Sequence, residues 1–230
     1  MKPLLACLSV LLPVLLGAQN IGSKPYSLRF QPVFQGEKIR LDQPILLANG
    51  DSLALHTLRF YVGNFHFMKK GKPVFVVQSH HLLDLEQEAS LTPTFQMPEN
   101  LTFDSLFFEL GVDSLSTASG AMGGDLDPTK GMFWTWQSGY INVKMEGYHS
   151  KCPNKNHGFE FHLGGYLPPF SSLQKVTVPL VSNKKALITL EFAPFFEQVD
   201  WGKKPSIMSP GAEAQRLSGI MAKSFTAMCF

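Results

Sequence analysis

Apolar and polar residues alternate along most of this chain, the period-two pattern of strands with one buried face. Residues 26–34, YSLRFQPVF, put Tyr26, Leu28 and Phe30 on one side, and Pro32 demotes the far end to an edge or bulge. The apolar pattern of 53–68 predicts one or two strands around Gly63 and Asn64. A further strand over 73–83 follows the turn Lys69-Lys70-Gly71-Lys72, so the pair reads as a hairpin. Strands are also predicted over 106–112, 140–146, 159–163, 175–181 and 186–192. Eight or so strands joined by turn residues predict an all-β fold, a two-layer antiparallel β-sandwich.

The period changes only at the end. Ser209 as N-cap, Pro210 at the first helical position, Glu213 in the first turn and Leu217, Ile220, Met221 and Phe225 on one face predict a short C-terminal helix within 212–230. Its expected role is to cover an open edge or end of a sheet. One long segment of small residues, 116–131, reads STASGAMGGDLDPTKG, and loops of that length are functional or mobile. Asp125 and Asp127 within it are candidate oxygen ligands for a hard cation, although solvated carboxylates of an Asp-Pro turn are the commoner use of that pattern.

Residues 1–18 read as a secretory signal: Lys2, an apolar run over 4–16, then Gly17 and Ala18 before Gln19. The run is shorter than the roughly 20 apolar residues a spanning helix needs. The expected mature chain is therefore one exported domain, 19–230, periplasmic or secreted. Only Cys152 and Cys229 remain after removal of the signal, and an oxidising compartment permits either a bridge between them or two free thiols. If bridged, they tie the C-terminal segment to the body.

Composition adds exclusions. A net charge of +2, with no run of Lys and Arg, argues against nucleic acid as a partner. No Gly-x-Ser-x-Gly elbow and no phosphate-cradling glycine loop leads into a helix, so the expected protein is not an enzyme. The carboxylate pairs Glu109/Asp113 and Asp125/Asp127 read as turn or edge residues.

Two motifs carry the remaining chemistry. GMFWTWQSGY over 131–140 sets Trp134 and Trp136 two residues apart, on one face if the segment is a strand. FEFHLGGY over 159–166 pairs Glu160 and His162 in the same way. Paired tryptophans more often fill a core than build a site. The seven histidines show no tight ligand spacing, so any metal site has to be assembled from distant strands. His80 and His81 are strand neighbours and face opposite ways, leaving one at most for a shared site. His149 and His157 flank a polar loop around Cys152 and read as solvated; His56 and His66 read as surface or satisfied core residues.

Taken together, GMFWTWQSGY, FEFHLGGY, the preceding DLDP and IMSPG over 207–211 resemble the methanobactin-associated periplasmic copper-binding family, the MbnP-like proteins, and in style their Bacteroidetes branch. The resemblance runs in order from the opening strand through LRFYVGNFHF, HHLLDLE and LFFELGVDS to the two signature segments. It implies an exported β-sandwich that binds copper, in some members after a dihaem cytochrome c peroxidase-like partner oxidises a tryptophan to kynurenine. Carried over residue by residue, it implies Trp134 or Trp136 as the modified ring and His162 as a copper ligand. Met132 and Met145 are thioether candidates for Cu(I), although core packing is the default for both, and Glu160 and Tyr140, each close in sequence to a signature residue, are candidate supports. One departure stands out. Copper-binding members tend to carry Asn-His soon after the Gly-Val step, whereas this chain reads GVDSLSTASG, and His81 is the candidate replacement. A glycan- or peptide-binding module built on Trp134, Trp136, Tyr140 and Tyr166, or a structural member that has lost the metal, are the alternatives.

Overall fold

The computed structural model describes residues 22–230 apart from 138, 183 and 204, so the expected signal segment lies outside the described residues. In chain order the strands are β1 (Ser23–Phe34), β2 (Glu37–Lys38), β3 (Ile45–Leu46), β4 (Ser52–Lys69), β5 (Lys72–Asp84), β6 (Thr94–Pro98), β7 (Ser105–Leu110), β8 (Phe133–Trp134), β9 (Gly139–His149), β10 (Gly158–Gly164), β11 (Gln174–Pro179), β12 (Ala186–Glu191), β13 (Ser206–Ile207) and β14 (Phe225–Cys229). Three short helices interrupt them: α1 (Ser114–Ala118), α2 (Ala193–Glu197) and α3 (Ala212–Lys223). One sheet runs β14-β12-β1-β2 with β6 also on β1. The other runs β11-β7-β4-β9-β10-β13, with β3 and β5 on β4 and β8 on β9.

The inward residues of both sheets fill one core. Leu28 and Phe30 of β1, Phe65 and Phe67 of β4, Phe108 of β7, Phe161 of β10 and Ile188 of β12 are among its buried members. This is the expected all-β sandwich. Pairing is antiparallel except at β1–β12 and β10–β13, which are parallel because each partner returns only after the chain has crossed other strands. Pro32 lies opposite Leu190 in the first of these ladders, with its carbonyl accepting from Ile39 N on the far side, where β2 is only two residues long. The strand beyond it is thus continuous, and the proline weakens only the β2 side.

β4 is a single strand of 18 residues bent at Asn64, where the ladder to β5 slips. The predicted hairpin with β5 is present, reversing at Lys70 and Gly71. The C-terminal helix is shorter than its sequence pattern. It stops at Lys223, and 225–229 form β14 against β12. Phe225 fits the helical stripe and is equally the first buried residue of an alternating run, and pairing with the open edge of β12 decides for the strand. The N-cap is Gly211, one residue after Pro210.

The segment 111–137 lies over the outer face of the larger sheet, away from the main core. Asp113 caps α1 by accepting from Ser116 N, and two 3-10 turns follow at Gly124–Leu126 and Pro128–Lys130. Together they enclose a second apolar cluster of Tyr61, Leu82, Val112, Leu126, Met132, Trp134, Tyr140 and Ile141. The long small-residue loop is therefore the lid of a second core.

Candidate functional site

Two places on the outer face of the larger sheet gather chemistry. The first lies where β4 bends. Gly63 faces His80 across the β4–β5 ladder, and a Cβ at Gly63 would come within 2.8 Å of His80 Cδ2, so the missing side chain is what lets the imidazole lie across β4. His80 Nε2 is 3.0 Å from Asp113 Oδ2. The approach is off the line of a hydrogen bond, and Nε2 is buried without one. The bend puts Asn64 in the left-handed region at φ 49°, from where its Nδ2 donates to Glu109 Oε2 at 2.6 Å and reaches Asp113 Oδ2 at 3.5 Å. These residues, with His66 and Met122, line a cavity of 620 Å³.

Charge states follow from the packing. Burial holds the His80 imidazole below its ordinary range, against the opposing pull of Asp113 and Glu109. Burial works to raise the Asp113 carboxyl, but the Ser116 amide and hydroxyl, His80 and Asn64 outweigh it and leave the group below the usual carboxylate range. A neutral imidazole beside a carboxylate is a donor pair ready for a metal ion. Among the described residues no three of His, Cys, Asp and Glu stand close enough to hold a metal by themselves.

The second place holds the signature residues. Trp134 ends the two-residue β8 and Trp136 lies in the turn beyond it, so the rings do not share a strand face. They still meet, with centroids 5.8 Å apart and planes tilted by 43°. Trp134 is 6% exposed and its Nε1 is buried without a partner, whereas Trp136 is 64% exposed. Trp134 packs over Gly164, where a Cβ would sit 2.5 Å from its ring. His162 is two residues away on β10, turned outward, with Nε2 2.8 Å from Glu146 Oε1. Lys144 reaches the same oxygen at 3.2 Å, and Thr57 donates to the other. Glu146 was not among the expected supports. It stands opposite Glu160 in the β9–β10 register, and only that register brings it to His162. Glu160 is exposed, and the buried Tyr140 bonds to the lid through Met122 N and Leu126 O.

His81 does not join this group. Its strand, β5, is separated from β10 by β4 and β9, three strand spacings or roughly 14 Å. It also faces inward, opposite Val62 and against Phe65 and Phe95, whereas His162 faces out. Its neighbour His80 is the outward one.

Other expectations are corrected by burial. His149 is not solvated: it is 1% exposed and stacks on Trp201 at 3.9 Å and 5°, because the start of β4 and the 199–201 turn close over the end of β9. Cys152 is buried beside it, Cys229 is partly exposed in β14, and both are free thiols. Met132 and Met145 are fully buried in the two apolar clusters. Asp125 accepts from Leu82 N and pairs with Lys130, and Asp127 caps its own turn through Thr129, the local roles of turn carboxylates. An aromatic platform loses two of its four rings, since Trp134 and Tyr140 are buried.

Comparison with known proteins agrees with the fold. The family profile named MbnP matches residues 23–209. The solved structure of MbnP from Methylosinus trichosporium superposes with a TM-score of 0.62 at 19% identity, over 91% of this chain and 99% of that one. A search of curated proteins returns no significant match. Among the described residues no helix is long and apolar enough to cross a membrane.

Proposed function

This chain belongs to the MbnP family, and from that membership we propose that it is an exported copper-handling protein that captures the metal and is not an enzyme. The observation that supports a site is His80: a buried imidazole over Gly63, with Nε2 unbonded and a carboxylate 3.0 Å away, on the wall of an open cavity. Trp134, Trp136 and His162, carried over from the signature segments, and His81, the candidate replacement, do not fit a single ion, because His81 and His162 lie on opposite faces. His80 and Asp113 do fit one. Asp113 also lies just after Gly-Val, the stretch in which copper-binding relatives tend to carry Asn-His.

In this reading His80 and Asp113 would hold copper, Ser116 and Asn64, the latter held by Glu109, would orient Asp113, and His66 and Met122 would line the open side. One imidazole with oxygen donors suits Cu(II) better than Cu(I). The bound ion supplies redox or delivery chemistry; the chain supplies a neutral nitrogen, a fixed carboxylate and a lid over the second core. Oxidation of one tryptophan of the 134/136 pair to kynurenine by a dihaem peroxidase-like partner belongs to the same proposal, and Trp136 is the ring open to such a partner.

The test is competitive Cu(II) titration of purified mature protein, with peptide mass spectrometry over 131–140. His80→Ala is expected to weaken binding by more than about tenfold while His162→Ala changes it little. The reverse order would move the site to β10. No copper bound by wild-type protein from its native host, with both tryptophans intact, would sink the reading.

A further inference from the structure

A second cavity, of 330 Å³, opens at the end of the sandwich where β1 and β9 finish and α2 begins. His149 lies opposite Leu53 and His80 opposite Gly63, so this cavity and the His80 wall are roughly 30 Å apart along β4. Its rim is firmly built. Glu191 accepts from the amides of Gln35, Gly36 and Ala193, tying the turn after β1 to the start of α2. Asp51 is held by Asn49 Nδ2 at 2.6 Å, Lys151 Nζ at 2.7 Å and Ser150 Oγ at 3.2 Å. On the wall, His149 stacks on Trp201, and the Lys151 amide donates to its Nδ1 at 3.2 Å. With Nδ1 accepting, and burial holding the ring below its ordinary range, the proton of the neutral ring is on Nε2. That N–H is buried without a partner, the one such side-chain atom on this wall among the described residues.

We propose that this cavity binds a small uncharged molecule with an apolar body and one carbonyl oxygen, and that the oxygen accepts from His149 Nε2. A buried donor without a partner costs free energy that an acceptor recovers, and the surroundings decide which acceptor fits. Water needs two to four polar partners, whereas the wall here includes Phe34, Leu47, Phe196 and Val199, and the Trp201 indole N–H is already given to the Phe196 carbonyl. An anion is disfavoured, because Lys151 is taken by Asp51 and Glu197 adds a second carboxylate. A cation finds no acceptor in a ring whose one lone pair is already used by the Lys151 amide. A carbonyl on an apolar body satisfies the donor and the rings together. Neither copper nor the His80 wall enters this inference.

The test is titration of metal-free mature protein with three probes while the nitrogen-15 resonances of the His149 ring are followed: acetophenone, α-methylstyrene, which has the same shape without the oxygen, and benzoate, which adds a charge. Acetophenone is expected to bind with Kd on the order of 0.1–1 mM and to shift Nε2, and α-methylstyrene to bind about three- to tenfold more weakly. Benzoate is expected to bind more weakly than the ketone. His149→Phe, which keeps a flat ring against Trp201, is expected to remove the preference for the ketone over the hydrocarbon, and Ala48→Trp at the exposed mouth to block both. In the variants the Trp201 indole N–H is followed instead, and circular dichroism verifies that they are folded; the comparison of probes on wild-type protein needs no variant. Absence of saturable acetophenone binding at millimolar concentration overturns the inference. Equal binding of ketone and hydrocarbon by wild-type protein overturns it too, as does tighter binding of benzoate.

Discussion

At the scale of single residues, two absent side chains place the chemistry. Gly63 lets His80 lie across β4, and Gly164 lets Trp134 lie across β10. Neither glycine is at a turn or a positive φ; each is required by the ring over it. At Gly164 the would-be Cβ meets Trp134 Cζ3 at 2.5 Å and the Tyr140 carbonyl at 2.8 Å, so neither the ring nor the backbone has room to give. Gly164→Ala is therefore expected to cost about 1–3 kcal/mol in denaturant unfolding. The second change Trp134→Phe, which shortens the ring, should recover part of that loss, a non-additivity that a double-mutant cycle measures. Strictly additive costs would mean that the backbone contact dominates and that Trp134 is not held by Gly164.

At the scale of elements, the bend in β4 couples fold to site. A regular strand through 62–66 would keep Asn64 in the ladder; the slip pushes it to φ 49° and turns its amide onto Glu109 and Asp113. Asparagine tolerates that conformation and a β-branched residue does not. Asn64→Val should cost about 1–3 kcal/mol, and Asn64→Gly less, by chemical denaturation. Equal costs would show that the lost amide bond, not the backbone, is what matters. Most elements were legible in the sequence because each core strand buries one face, and alternation survives in YSLRF and in VTVPL as it does in the fold. What was not legible came from pairing. Nothing local tells Phe225 to leave a helix for β12, the bend of β4 leaves only the Gly-Asn step as a trace, and the parallel β1–β12 ladder joins residues as distant in sequence as Leu28 and Ala186.

At the scale of the whole molecule, the same distinction explains the site. Trp134, Trp136 and His162 were visible as motif residues, and the structure does bring the first two together beside β10. His80 was passed over for His81 because choosing between strand neighbours requires knowing which face is the core, a property of β4 and β6 and not of the HH pair. Glu146 was missed for a similar reason, being set by cross-strand register. Burying histidines on both faces leaves a global mark. His80, His81 and His149 are all held below their ordinary range, first by burial, against Asp113 and Glu109 for His80, Asp125 for His81 and Asp51 for His149. His80 adds to the lowering at His81, and Lys151 adds to it at His149. For such groups the unfolded chain takes up protons more readily than the folded one, so stability is full above the unfolded histidine value near 6.5 and is lost as pH falls toward the depressed folded values. Carboxylates contribute only at lower pH, since Asp113 and Glu146 lie below their usual range. Thermal melting of metal-free protein is thus expected to be flat above about pH 7 and to drop by several degrees by about pH 5. His149→Gln, which removes one titrating ring remote from the proposed copper wall, should reduce that slope. A melting temperature that stays level from about pH 7 to about pH 5 would mean that the three imidazoles take up protons in the folded state as easily as in the unfolded chain.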